Sequence, residues 1–190
     1  MGAGGVAIVP ADTVYALACD PLHASAIERI YTLKGRDAAK PSAVMFFSPL
    51  AMRELLSTLG PRTRDALGAL LPGPVTLVVD NAGRRYRLAS RDDPSRLGIR
   101  LIEGPLAGTP CPIFQTSANR SGETAPHRFA EIDPGIVAEA DLAIDGGELG
   151  GTPSTVVDLS RIDTDGGWAI LREGAFARDE LERRLARILS

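Results

Sequence analysis

Histidine and cysteine are nearly absent: the 190 residues hold two of each, His23, His127, Cys19 and Cys111. No Cys/His spacing for zinc can be drawn from them. Neither histidine stands beside a nucleophile motif, which counts against a Ser/His/Asp hydrolase. The cysteines lie far apart, in or beside apolar segments, and read as two small buried hydrophobes rather than a disulfide. No apolar run reaches the roughly eighteen residues a membrane helix needs, and no charged-then-apolar leader is visible, so a cytoplasmic protein without membrane contact is expected. Neither GxxxxGK[ST] nor a GxGxxG following a strand occurs, which removes the common nucleotide fingerprints. Aromatics make up only 5% of the chain, few for stacking bases. The net charge of −3 gives no global attraction to a polyanion, so any such site must be a local basic patch.

Glycine and proline are plentiful, 20 and 14 residues, within a composition that is 44% hydrophobic and 24% charged. That balance is ordinary for a folded protein and points to a turn-rich α/β chain. Buried strands are expected at Gly5–Pro10 and Ser42–Phe47, and further strands at VTLVVD, LGIRL, PIFQTSAN, Asp141–Asp145, STVVDL and WAILREG. Helical spacing is expected over Ala24–Lys34, with Gly35 as its stop, and over Pro49–Leu59, capped by Ser48. Pro61–Leu71 and Arg178–Leu189 read as two more. Strands outnumber helices, and the late ones lack room for helical crossovers. Without repeat, linker or composition break, the expectation is a single domain, residues 1–190, built on a mixed sheet.

Three cations stand within seven residues in KGRDAAKP: Lys34, Arg36 and Lys40. Arg36 offers a planar fork for bidentate phosphate contact, and the two lysines are movable point charges. Alone, such a run is more often a helix end and a solvated loop. TSAN, Thr116–Asn119, ends a strand, where open α/β sheets place ligands, and Ser117 and Asn119 can donate to phosphate or ribose. Alone, an ordinary polar turn is the more common explanation. With no covalent or metal signature in the chain, the chemistry these residues suit is electrostatic positioning for phosphoryl or adenylyl transfer.

Taken in order, ADTVYAL, KGRDAAKP, LPGPVTLVV, LGIRL, TSANRSG, PSTVVDL and ILREG resemble the YrdC-like family of threonylcarbamoyl-AMP synthases, from about Gly4 to Ala175. The resemblance implies a short single-domain form with an open twisted mixed β-sheet, flanking helices and a basic concave cavity. It implies a nucleotidyltransferase that joins L-threonine, bicarbonate or CO2 and ATP into threonylcarbamoyl-AMP and pyrophosphate. The product would be handed to a threonylcarbamoyl transferase complex that modifies adenosine in tRNAs reading ANN codons. Lys34 and Arg36 would be catalytic, with Lys40, Ser117, Asn119 and Arg172 holding ATP. Thr13, Arg100 and Ser154 would hold threonine, and Arg96 and Gln115 would fall near the site. ATP is a substrate here, Mg2+ would arrive with it, and no protein metal site is implied. A non-catalytic relative that binds double-stranded RNA or tRNA in the same cavity is the alternative. The chain departs from the family pattern at Ala11, Ala16, Asp37, Ser42 and Met45, and Met45 stands where some relatives place a substrate-binding histidine. The helix that usually precedes the first strand is expected to be absent.

Overall fold

In the computed structural model, residues 3–104 and 106–189 are described; the expected domain also includes Met1, Gly2, Pro105 and Ser190, which lie outside them. The first apolar run forms β1 (Ala7–Pro10), which turns at once into β2 (Tyr15–Cys19). Then follow α1 (Ala24–Lys34), β3 (Ala43–Phe46), and a 3-10 turn, Leu50–Met52, leading into α2 (Arg53–Leu56). After α3 (Pro61–Leu70) come β4 (Val75–Asp80), α4 (Arg87–Ser90), β5 (Arg96–Leu101) and β6 (Ile113–Ser117). The chain ends through α5 (Pro134–Glu139), β7 (Leu142–Ala143), β8 (Thr155–Arg161), β9 (Gly167–Arg172) and α6 (Arg178–Leu189).

All nine strands join one open sheet in the order β7-β1-β2-β6-β3-β5-β4-β8-β9. Pairs β1–β7, β3–β5 and β4–β8 are parallel, and the other five are antiparallel. The expected mixed sheet is therefore present. Side chains alternate across it, as a strand's period of two requires. Leu97, Ile99 and Leu101 of β5 join Val75, Leu77 and Val79 of β4 in a core with Ile27 and Ile30 of α1, Leu67 and Leu70 of α3, and Leu181 and Leu185 of α6. Each such fully buried aliphatic side chain contributes roughly 2 kcal/mol. The intervening β5 residues Arg96, Gly98 and Arg100 line a cavity that this helix-covered core does not fill.

One strand was not anticipated, and three expectations need correction. Tyr15–Cys19 is a strand of its own, paired with β1 through a register of Pro10 to Tyr15; its hairpin has no Asn-Gly or Asp-Gly signal. The helix expected over Pro49–Leu59 shrinks to the 3-10 turn and α2, although Ser48 Oγ does accept from Ala51 N–H at 3.2 Å. The strand expected at Asp141–Asp145 shortens to Leu142–Ala143, because only two residues find partners on β1. Cys19 is buried as expected, but Cys111 is exposed, since it sits in the connection ahead of β6 rather than in the strand.

Candidate active site

The cavity has a volume of about 650 Å³, within the range of small-molecule sites. Register sets its floor: Val78 pairs with Gly98, Gly98 with Ala43, and Ala43 with Gln115. Gly98 adds depth because it puts no side chain into the floor, where a Cβ would stand in contact with the Ala43 Cβ at 3.4 Å. Small residues in the middle of the sheet thus leave a hollow that larger ones would fill.

Arg100 rises from β5 into this hollow and is almost wholly buried. One of its terminal nitrogens, Nη2, makes an ion pair with Asp12 and lies 3.4 Å from Thr13 Oγ1, both in the β1–β2 hairpin loop. Its Nε is buried with no hydrogen-bond partner. Burial pushes the guanidinium's pKa down, Asp12 opposes that, and Arg172 adds to it. Burial also raises the pKa of Asp12, against the pull of Arg100. The guanidinium is therefore short of compensation, and an anion placed against Arg100 would supply it. Ser154 Oγ stands 2.9 Å from Thr76 Oγ1, so two hydroxyls face the same space.

Arg172, at the end of β9, donates from Nη2 to Ser154 O at 2.7 Å. Burial and the neighbouring Arg36 push its pKa down. Arg36 donates from Nη2 to Pro41 O at 2.9 Å, and its Nε is buried and unpartnered. Both guanidiniums line the cavity, and their hydrogen-bond acceptors among the described residues are carbonyl and hydroxyl oxygens, not carboxylates. Two like charges held together in this way favour a ligand with at least one negative charge. Arg96 also lines the cavity but is neutralised by Asp93 and by Asp158, the latter at 3.0 Å.

The remaining expected residues divide. Ser117, Asn119 and Gln115 line the cavity. Asn119 is fully occupied by the chain itself: its Oδ1 accepts from Ser117 Oγ, and its Nδ2 donates to the carbonyls of Arg120 and Glu123 at 2.9 and 2.7 Å. Lys34 does not line the cavity. Only 2% exposed, its ammonium is turned behind the turn and donates to Ser117 O, Asn119 O and, at 3.2 Å, Asn119 Oδ1. Burial, with help from Arg36 and against Glu123, lowers its pKa to about 7. Lys40 is exposed and likewise stands apart from the lining. Asp37 is exposed too, and its carboxylate accepts from Ala39 N–H at 2.9 Å, clear of the cavity. Met45 is fully buried in a small cluster on the cavity side of the sheet, paired in register with Arg100. Thr76, Val78, Val156 and Leu171 also line the cavity and were not singled out from the sequence. Thr76 had a signal, a lone hydroxyl within the apolar run VTLVVD.

A family model named Sua5_yciO_yrdC, with the description Telomere recombination, matches residues 1–174. The chain belongs to the Sua5/YciO/YrdC family. Among curated relatives, the threonylcarbamoyl-AMP synthase of Homo sapiens is 34% identical over 191 aligned residues, covering 90% of this chain and 63% of its own length. That of Thiobacillus denitrificans is 31% identical, covering 83% of this chain and 86% of its own. The chain thus spans a little under two thirds of the human relative. Among family structures, P. abyssi Sua5 complexed with L-threonine superposes with a TM-score of 0.80 at 27% identity, over 96% of this chain and 54% of that one. E. coli YciO gives 0.80 at 25% identity, over 95% and 88%. Among the described residues, no helix is long and apolar enough to cross a membrane.

Proposed function

We propose that the chain is a threonylcarbamoyl-AMP synthase, a nucleotidyltransferase that condenses L-threonine, bicarbonate or CO2 and ATP. The observation that carries this reading is the line of cations Arg36, Arg172 and Arg100 in one cavity, each acting electrostatically on the next. Relatives of that name, and a family member complexed with L-threonine, support the choice of substrates.

In this reading Arg100 takes the threonine carboxylate, with the hydroxyls of Thr13 and Ser154 beside it. The threonine amine adds to the carbon of CO2 and loses a proton, giving a carbamate. A carbamate oxygen then bonds to the α-phosphorus of ATP, the bond to the β-phosphate oxygen breaks, and pyrophosphate leaves. Arg36 and Arg172 neutralise the phosphates as that charge builds, the task such transfers demand. Ser117 faces the nucleotide, while Lys34 and Asn119 hold the turn that presents it. Lys40 can reach the phosphates only from outside the present lining. Mg2+ is taken to come with ATP, and the threonylcarbamoyl group to pass to a transferase that acts on tRNA in the cytoplasm.

The test is pyrophosphate release in the presence of ATP and bicarbonate, with threonine, serine and no amino acid run side by side. Release that depends on threonine is expected. Release that is absent or indifferent to threonine rejects the synthase. RNA binding with a steep salt dependence and no turnover would favour a binding module instead.

A further inference from the structure

Arg91 lies outside the cavity lining, yet it is held in a conformation that an arginine rarely adopts. Its φ of 53° and ψ of −120° are those of the first central residue of a type II′ turn, where glycine predominates. Its side chain is only 10% exposed. The guanidinium carbon sits 3.9 Å from the centre of the Tyr31 ring, in cation–π range. One terminal nitrogen pairs with Glu28 at 2.6 Å, while Nε and the other terminal nitrogen are buried with no hydrogen-bond partner.

Tyr31 in turn holds the loop that carries Arg36. Its hydroxyl donates to Lys40 O at 2.6 Å and lies 3.4 Å from Ser42 Oγ. The Arg36 guanidinium carbon is 5.9 Å from the same ring centre. The far end of the loop is tied to α4, just ahead of Arg91, by Ser42 N–H to Ala89 O at 2.9 Å. Arg36 and Ser42 both line the cavity.

We propose that Arg91 is a positioning residue for nucleotide phosphate: it clamps the Tyr31 ring and so fixes the Arg36–Ser42 loop. This rests on the reading of the cavity as an ATP site. Glycine at this position would suit the backbone better, so Arg91→Gly removes the side chain without adding strain. The experiment measures dissociation constants for ATP and for L-threonine separately, together with Tm, in the unsubstituted chain, R91G and R91K. R91G should weaken ATP roughly ten-fold and leave threonine unchanged, and R91K, which keeps a cation over the ring, should recover much of the loss. Equal ATP binding in R91G and the unsubstituted chain overturns the proposal. Parallel weakening of both ligands also overturns it, because it shows general loosening, as does the absence of ATP binding to the unsubstituted chain. Because binding is read rather than turnover, a chain that binds ATP but releases no pyrophosphate would remove the synthase and leave this comparison standing.

Discussion

The ammonium of Lys34 donates to three oxygens of the turn after β6, and three is all the donors an ammonium has. Nothing is left for a phosphate unless the turn opens. Lys34→Met keeps much of the volume and removes every donor, stranding buried acceptors. It should destabilise the fold by about 2 kcal/mol, read as a lower denaturant midpoint at unchanged slope. Arg36→Ala should do the reverse. It should cost about 100-fold in the rate of pyrophosphate release, the scale of losing one electrostatic donor at a transferring group, with little change in midpoint. If K34M loses activity at full stability, Lys34 reaches the nucleotide after all, and the turn-anchoring role is wrong. The KxR spacing could not separate these two tasks, since lysine and arginine there look like equal phosphate ligands.

Helix α1 shows why part of that distinction was nevertheless legible. Its buried residues Ile27, Ile30, Tyr31 and Lys34 fall at i, i+3, i+4 and i+7, one stripe of a helix. The stripe was visible as far as Tyr31, and carrying it one turn further would have put Lys34 on the buried face. The stop was legible as well: Gly35 takes a left-handed φ of 56°, where a glycine is favoured. Strand alternation could likewise have placed Arg96, Gly98 and Arg100 on one face. Short edge elements were less legible, because side chains distant in sequence decide them. Strand β7 is held beside β1 by Asp141, whose Oδ2 accepts from Val6 N–H and from Arg29 Nη1, both at 2.7 Å. Those partners hold the carboxyl below its ordinary pKa. A depressed folded-state value stabilises the fold above the unfolded pKa, and the contribution is lost as pH falls through the folded one. Asp141→Asn should therefore lower Tm near neutral pH, read from thermal melts, and the gap should close at the acid end of the carboxylate range. A gap that stays constant with pH would assign the effect to packing rather than charge.

At the scale of the whole chain, the strand order β7-β1-β2-β6-β3-β5-β4-β8-β9 interleaves early and late segments. Composition and turn signals marked the strands other than β2, but pairings such as β2 with β6 and β4 with β8 join segments too far apart for any local pattern to specify. The same interleaving bears on domain organisation. The helix-side core runs without a break from Val6 and Ile8 of the N-terminal segment to Leu181 and Leu185 of α6. Every strand except β7, whose two residues are exposed, contributes to this core or packs against it. We therefore propose that the chain unfolds as one cooperative unit despite its length. Trp168 is the sole tryptophan and lies on β9 at one end of the sheet, so its fluorescence reports an edge while far-UV circular dichroism reports the whole. Denaturant curves from the two probes should superimpose, the usual mark of two-state unfolding. An earlier Trp168 transition would show that the β8–β9 end detaches first. That end carries Arg172 and Ser154, so early detachment would also release two of the side chains that the proposed chemistry needs.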